Sequence, residues 1–327
     1  MEAYLCALKK EIKRWGGSFS RPIDSIYLGG GTPSLLNGEV VSLLDSVYGS
    51  FEVLPGAEIT AEINPSGEPE KFLIPAFGAG VNRLSVGVQS GNDSVLRSLG
   101  RRHTAFDARK TVEKARKIGF NNISVDIIIG LPGEDTADML KSLDFALSLE
   151  PEHISAYMLI IEPKTKLYFE GVSGADSENT AKQYLALCDK LSEAGFRHYE
   201  ISNFALPGFE SRHNLKYWRC SEYLGIGPSA HSFISGKRFY YPEDLRGFIR
   251  SPKTVPESDG TDESEKIMLA LRLDSGYDFA PFPQLTGYLE ALSREGYGKI
   301  SGSVFSLTER GMLVSNQIIT EILERIL

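Results

Sequence analysis

Polar residues accompany four successive short apolar segments between residues 26 and 129. Thr32 follows the first segment, Glu62 ends the second, Gln89 ends the third and Asp126 lies in the fourth. A hydroxyl, an amide and two carboxylates supply the donors and acceptors that orient a small polar ligand. Each of these residues alone is also compatible with an ordinary cap or turn. Their repetition over successive segments favours a shared binding site, provided that the segments are neighbouring strands.

A run of three glycines precedes the first of these polar residues. Gly29, Gly30 and Gly31 directly follow the apolar residues 26–28 and lead to Thr32 and Pro33. Glycine has no Cβ, so a ligand can approach its backbone closely, and Pro33 suits the first position of a helix. A tight turn would explain the glycines equally well. The run is neither the G-x-G-x-x-G dinucleotide fingerprint nor a phosphate-binding loop, which needs a following Gly-Lys-Ser/Thr.

The elements that would position these residues follow an alternating pattern. Amphipathic periodicity and end signals predict helices at 1–15, 35–47, 69–77, 104–119, 136–149 and 178–194. Short apolar runs predict strands at 26–28, 57–63, 83–88, 123–129 and 153–161. Such alternation indicates parallel βαβ units, whose ligand sites lie at the C-terminal strand ends. Periodicity alone fits an open doubly wound sheet as well as a barrel.

The composition changes near residue 251. Residues 251–264 are rich in Pro, Ser, Asp, Glu and Gly, which predicts a linker. Beyond it we predict helices at 265–273 and 282–295, a short strand at 304–307 and a last helix at 308–327. We therefore expect two domains: residues 1–250, and a small C-terminal domain of helical, winged-helix type at 251–327.

Charge, hydropathy and cysteine content exclude several classes of protein. The net charge is -8, from 35 basic and 43 acidic residues, which argues against a nucleic-acid partner. No run of about 18 apolar residues exists, so no transmembrane segment is expected. The cysteines Cys6, Cys188 and Cys220 are too far apart for the short spacing of a metal site. Three sparse thiols suit a reducing cytoplasm.

Tyr-Leu-Gly-Gly-Gly-Thr-Pro-Ser at 27–34 resembles the glycine motif of radical SAM proteins related to oxygen-independent coproporphyrinogen III oxidase. Further motifs of that group follow in the same order, at 62–65, 83–90, 99–103, 125–126, 130–133, 161–165, 213–218, 225–232 and 307–313. The resemblance implies a partial (β/α) barrel of radical SAM type that lacks its first strand.

The resemblance also implies an S-adenosylmethionine site. Gly30, Gly31 and Thr32 would line the methionine moiety, and Glu62 would accept hydrogen bonds from the ribose hydroxyls. The polar shell would be completed by Gln89, Arg101 and Asp126. Arg101 suits a carboxylate because its planar fork can bind two oxygens. A buried structural pair between Arg101 and Glu62 is the alternative.

The segment His-Asn-x-x-Tyr-Trp at 213–218 is similar to that of HemW-type heme chaperones. The similarity implies heme or porphyrin as a ligand and heme-receiving proteins as partners. His213 is the candidate heme ligand, with Tyr217 and Trp218 packing on the porphyrin face. His231 is a weaker second candidate. Two alternatives are a coproporphyrinogen III oxidase-like oxidoreductase and an unrelated α/β enzyme that binds a phosphorylated substrate at Gly29 to Gly31.

The family holds a 4Fe–4S cluster in a C-x-x-x-C-x-x-C loop, and the printed sequence has no such motif. The resemblance implies that the first strand and this loop lie upstream of Met1, so only a full-length form would carry the cluster. Either the start was assigned at an internal methionine or the cluster was lost, and the intact ligand-lining residues favour the first. We expect no reductive cleavage of S-adenosylmethionine by this polypeptide, and an exposed edge of the sheet. No catalytic residue is assigned.

Overall fold

The central feature of the chain is a curled seven-stranded sheet. The computed structural model describes residues 1–19, 21–65, 67–172 and 174–326, without the side chains of residues 166 and 259. The sheet consists of β1 (Ile23–Leu28), β2 (Val53–Ile63), β3 (Arg83–Gln89), β4 (Ile123–Ile129), β5 (His153–Met158), β6 (Arg197–Glu200) and β7 (Asn203–Ala205). Its spatial order is β1-β2-β3-β4-β5-β7-β6. The first five strands are parallel, as predicted, and β7 and β6 are antiparallel.

Helices connect and cover these strands. The first eight are α1 (Glu2–Gly16), α2 (Glu39–Tyr48), α3 (Glu70–Gly78), α4 (Asp93–Ser98), α5 (Ala105–Ile118), α6 (Thr136–Leu147), α7 (Lys166–Phe169) and α8 (Ser177–Glu193). The helix predicted at 104–119 is confirmed as α5, and Thr104 and Asp107 form a reciprocal capping box at its start. The helix predicted at 35–47 begins later. A 3₁₀ turn at Pro33–Leu36 comes first, and Asn37 adopts a positive φ of 47° before α2.

The two faces of the sheet differ in polarity. The outer face packs against the helices through aliphatic side chains such as Ala61, Leu84, Val125 and Ile154, all of them buried. Burial of each larger aliphatic side chain contributes roughly 1.5–3 kcal/mol. The inner, concave face is polar. It carries Ser25, Tyr27, Glu58, Thr60, Glu62, Arg83, Ser85, Ser124, Asp126, His153 and Ser155, which lie beside one another in the strand register.

The region after the large sheet contains elements that periodicity did not predict. They are α9 (Arg212–Trp218), β8 (His231–Ile234), β9 (Lys237–Tyr240), α10 (Leu245–Arg250) and β10 (Val255–Asp259). The predicted linker at 251–264 is therefore wrong in its middle part, since β10 pairs antiparallel with β9. The side chains of residues 255–258 are exposed, so this edge strand is held by main-chain hydrogen bonds. Its polar composition is therefore typical of a loop.

The C-terminal region forms a small α/β unit. It contains α11 (Glu263–Ala270), β11 (Tyr277–Asp278), α12 (Thr286–Arg294), β12 (Gly298–Ser301), β13 (Val304–Leu307), α13 (Glu309–Leu313) and α14 (Ser315–Ile326). The single last helix predicted at 308–327 is two helices, because α13 ends at Leu313 and the next residue, Val314, has φ -116°; residue 327 lies outside the described residues. Ile267, Leu271 and Ile322 belong to the same buried cluster as the large sheet. The boundary at residue 251 stays a prediction. In the described part of the chain, no helix is long and apolar enough to cross a membrane.

Candidate functional site

The glycine turn after β1 holds the carboxylate that ends β2. Tyr27 Oη donates a hydrogen bond of 3.0 Å to Glu62 Oε1, and the Gly30 amide donates one of 3.3 Å to Oε2. A Cβ on Gly29 would lie 2.7 Å from Glu62 Oε1, so a larger residue here would displace the Tyr27 and Glu62 side chains. Gly30 has φ +82°, and nothing lies within 4 Å of a Cβ built on Gly31. The turn therefore fixes Glu62 and leaves the Gly31 backbone open to a ligand.

Two amide side chains continue this surface towards β3. Asn64 Nδ2 donates a hydrogen bond of 3.1 Å to Thr32 Oγ1. A Cβ on Gly87 would lie 3.1 Å from Asn64 Oδ1 and 3.0 Å from Gln89 Nε2, so both amides flank that glycine. Gln89 has φ +68°, in the left-handed region that non-glycine residues rarely adopt. Such strain is concentrated at functional sites, and here it sets the direction of Gln89 at the strand end.

Asp126 provides the second carboxylate. Ser85 Oγ donates to both carboxylate oxygens, at 3.1 and 2.9 Å, and Ser124 Oγ donates to Oδ1 at 3.3 Å. Burial raises the pKa of Asp126, and the serine hydrogen bonds oppose that effect. Burial also raises the pKa of Glu62; the hydrogen bond from Tyr27 lowers it, and the Asp126 charge raises it. The two acids thus interact electrostatically on the concave face of the sheet.

Arg101 lies in the segment between α4 and α5. The neighbouring His103 ring is 3.0 Å from the Val88 carbonyl, which places the segment against the end of β3. Burial lowers the pKa of His103, and the Arg101 charge lowers it further. The hydrogen bond to the Val88 carbonyl acts in the opposite direction and raises it. No ion pair joins Arg101 to Glu62, whose carboxylate is held by Tyr27 and Gly30. The alternative of a structural Arg101–Glu62 pair is therefore wrong.

The heme-ligand candidate lies on the other side of Tyr27. The Glu58 carboxylate accepts hydrogen bonds from the Arg212 and His213 amides, at 3.0 and 2.9 Å, and so holds the start of α9. His213 Nδ1 is 2.9 Å from Ser25 Oγ, and its ring stacks on Tyr27 with a centroid distance of 5.2 Å. Burial lowers the pKa of His213 to about 4, so the imidazole is neutral at pH 7.

The three residues predicted to hold heme do not form one group. His213 Nε2 and Tyr217 Oη are 2.9 Å apart, so the structure brings these two together. Trp218 instead lies beneath the Arg272 guanidinium, 5.7 Å from the ring centroid, and its indole interacts with Glu200. Adjacent helical residues point about 100° apart, which separates Trp218 from Tyr217.

The weaker candidate His231 is exposed and lies on β8. It stacks on Tyr240 with a centroid distance of 5.2 Å, and its Nδ1 is 3.2 Å from Glu257. These contacts place it in the small β8–β10 sheet, away from the interior of the large one.

Among the concave-face residues that sequence reasoning missed are Ser25, Tyr27 and Glu58, which contact α9. The signal was the alternation of polar residues along β1 and β2, which places them on the same face as Glu62. Their partners on α9 lie more than 150 residues later and give no local signal.

The three cysteines do not fit an iron–sulfur cluster. Cys6 is exposed on α1, and Cys188 lies in the core on α8, where burial raises its pKa to about 12. Cys220 follows α9. No group of three His, Cys, Asp or Glu residues that could hold a metal is found among the described residues.

Comparisons with known proteins agree with this geometry. Residues 7–146 match the model of the radical SAM superfamily. Heme chaperone HemW of Bacillus subtilis is 35% identical over 97% of this chain and 90% of its own length. A mitochondrial radical S-adenosyl methionine domain-containing protein 1 of Bos taurus is 40% identical over 90% of this chain and 71% of its own. The solved coproporphyrinogen III oxidase of Escherichia coli has a TM-score of 0.81 at 21% identity, covering 98% of this chain and 82% of that one.

A half barrel with polar strand ends and this superfamily match define a radical SAM protein. Within that superfamily the chain belongs to the HemW family. The alternative of an unrelated α/β enzyme is therefore wrong. The likeness to the oxidase shows the fold, and the predicted radical SAM half barrel is confirmed.

Proposed function

We propose that this protein is a heme-binding chaperone on a radical SAM scaffold, with an S-adenosylmethionine site at the strand ends and a heme site beside α9. The observation that carries the proposal is the likeness, over nearly the whole chain, to proteins named heme chaperone HemW. The position of the neutral, half-buried His213 against β1 supports it, because a neutral imidazole can ligate heme iron.

The adenosyl site would use the residues at the strand ends. Glu62 would accept hydrogen bonds from the ribose hydroxyls. The methionine moiety would lie against Thr32 and the open backbone at Gly30 and Gly31. Gln89, Arg101 and Asp126 would bind the remaining polar atoms. The thiols of this chain do not fit a cluster, so we assign no step of reductive cleavage to it. We expect no 5′-deoxyadenosine when this polypeptide is incubated with S-adenosylmethionine and a reductant.

Alanine substitutions at Gly31 and Gly29 distinguish an effect on ligand binding from an effect on folding. Gly31→Ala is expected to leave the melting temperature unchanged, because its Cβ meets nothing, and to weaken S-adenosylmethionine binding about tenfold or more by blocking close approach. Gly29→Ala is expected to lower the melting temperature, since its Cβ collides with Tyr27 and Glu62. Thermal denaturation and equilibrium dialysis measure the two effects. Wild-type affinity in Gly31→Ala would show that the ligand does not contact this turn.

Heme titration followed by absorption tests the chaperone function. The wild type is expected to give a saturable Soret shift at one heme per chain, and His213→Ala is expected to lose it because the iron loses its protein ligand. An unchanged titration in His213→Ala would remove His213 from the ligand role. Absence of a saturable shift in the wild type would contradict heme binding itself.

Two variants sharpen this test. Tyr217→Phe keeps the aromatic ring but removes the hydroxyl that occupies His213 Nε2. Release of one hydrogen bond, worth about 1 kcal/mol, is expected to tighten heme binding about fivefold. His231→Ala is the control and is expected to bind heme as the wild type does. Weaker binding in Tyr217→Phe would mean that Nε2 is not the atom that reaches iron.

We further propose a cytoplasmic location, in keeping with three free thiols, and heme-receiving proteins as partners. The division into residues 1–250 and 251–327 also stays a proposal.

A further inference from the structure

Arg83 is a buried arginine whose guanidinium has no hydrogen-bond or ion-pair partner among the described residues. It opens β3 on the concave face of the half barrel and is only 2% exposed. Its Nε atom is shielded from solvent and has no hydrogen-bond partner, and no ion pair or hydrogen bond of the guanidinium joins it to any described residue. Thr60 lies beside it in the strand register, is 0% exposed, and its Oγ1 also has no partner.

The internal carboxylates that could neutralise Arg83 have other partners. Glu58 accepts hydrogen bonds from the amides that begin α9, and Glu62 accepts hydrogen bonds from Tyr27 and Gly30. Asp126 accepts Ser85 and Ser124. The Arg83 charge acts on this interior. Burial raises the pKa of Asp126, and the Arg83 charge opposes that effect. Burial lowers the pKa of His153, and the Arg83 charge adds to that effect.

A structural role would predict a different arrangement. A guanidinium stays charged at every accessible pH, and an unpaired buried charge destabilises the fold. Arg116 shows how this chain treats a structural arginine. It binds the Glu152 carboxylate at 2.8 Å and the Phe120 and Glu150 carbonyls at 3.1 and 2.7 Å. Arg83 makes no contact of this kind with any described residue, so its hydrogen-bond donors are left for a ligand from outside the chain.

We propose that Arg83 and Thr60 form a carboxylate-binding subsite on the concave face of the half barrel, where β3 begins. The planar fork of arginine binds both oxygens of a carboxylate, and the threonine hydroxyl donates a further hydrogen bond. The source of the carboxylate rests on the proposed function: a heme propionate or the methionine carboxylate of S-adenosylmethionine. The subsite itself rests on burial and missing partners alone.

Stability measurements separate the subsite from a structural role. Arg83→Met, which removes the charge at similar size, is expected to melt at or above the wild-type temperature without ligand. Arg116→Met is the matched control and is expected to melt several degrees lower, because it leaves Glu152 unpaired. A loss in Arg83→Met as large as in Arg116→Met would overturn the proposal. Arg83→Lys keeps the positive charge. It is expected to fold, and carboxylate is expected to raise its melting temperature less than that of the wild type.

Binding measurements use sodium propionate first, with sodium chloride at equal ionic strength as reference. Propionate is expected to raise the melting temperature of the wild type and not of Arg83→Met. An equal rise in the melting temperature of both proteins, or no rise in either, would overturn the subsite, whether or not heme binds.

Two pairs of ligands then identify which molecule supplies the carboxylate. Heme is compared with heme dimethyl ester, and S-adenosylmethionine with its decarboxylated form. The wild type is expected to prefer the free carboxylate of one pair about 10- to 100-fold, and Arg83→Met is expected to lose that preference. No preference in either pair would contradict a carboxylate ligand. Failure of heme to bind at all would overturn the proposed function but leave the propionate test of Arg83 standing.

Discussion

Replacing Glu62 with alanine is expected to weaken S-adenosylmethionine binding about 10- to 100-fold while heme binding stays unchanged. The Glu62 carboxylate is held by Tyr27 and Gly30 at the mouth of the half barrel, where its oxygens can also accept hydrogen bonds from two ribose hydroxyls. Hydrogen bonds to a charged group contribute about 1.5–3 kcal/mol, which gives the stated range. Isothermal titration calorimetry with S-adenosylmethionine, and the Soret titration with heme, measure both affinities.

Controls separate the loss of contacts from the loss of charge. Glu62→Gln keeps one carbonyl acceptor and is expected to bind with intermediate affinity. Glu178→Ala removes an exposed carboxylate on α8, far in sequence from the site, and is expected to bind as the wild type does. Wild-type affinity in Glu62→Ala would mean that the strand ends do not bind the ribose.

Two buried groups are expected to give opposite dependences of stability on pH. The pKa of His213 is lowered to about 4 by burial, below its usual value of about 6.5. The unfolded chain therefore takes up the proton first. The stability contributed by neutral His213 is present above about pH 6.5 and is lost as the pH falls towards 4, by about 2 kcal/mol between pH 7 and 5.

Glu200 is expected to act in the other direction. It is fully buried, and burial raises its pKa to about 7, whereas the hydrogen bond from Asn203 lowers it. The folded protein binds this proton more tightly than the unfolded chain. The stability it contributes is therefore present below about pH 4.5 and is lost as the pH rises through 7, again by about 2 kcal/mol between pH 5 and 7.

Urea denaturation at pH 5 and pH 7 tests both signs. On acidification from pH 7 to 5, the stability of His213→Gln is expected to rise relative to the wild type, and that of Glu200→Gln is expected to fall. Taking the difference between each variant and the wild type removes the effect of other titrating groups. Parallel pH profiles for all three proteins would contradict the burial of these two side chains.

The sequence predicted the parallel part of the fold best. β4 occupies residues 123–129, as predicted, because a run of β-branched residues leaves little choice of structure. As predicted, Thr32 follows β1, Glu62 and Gln89 end β2 and β3, and Asp126 lies within β4, and these four parallel strands are neighbours in the sheet. Local pattern and topology point to the same answer there.

Long-range contacts could not be predicted in the same way. The separation of Trp218 from His213 depends on how α9 is rotated, and that rotation is fixed by Glu58 on a distant strand. The inward direction of Arg83 follows from strand alternation, but its lack of a partner appears only when the whole concave face is assembled. β10 was missed because an exposed edge strand needs no apolar pattern.

The central claim is that the strand ends and the glycine turn form one site for an adenosyl ligand. The most direct test is a crystal structure of the protein with S-adenosylhomocysteine. We expect the ribose hydroxyls within hydrogen-bond distance of Glu62 and the amino-acid moiety beside Gly30 and Gly31. A ligand bound anywhere else, with the surface between Glu62 and Asp126 unoccupied, would contradict the claim.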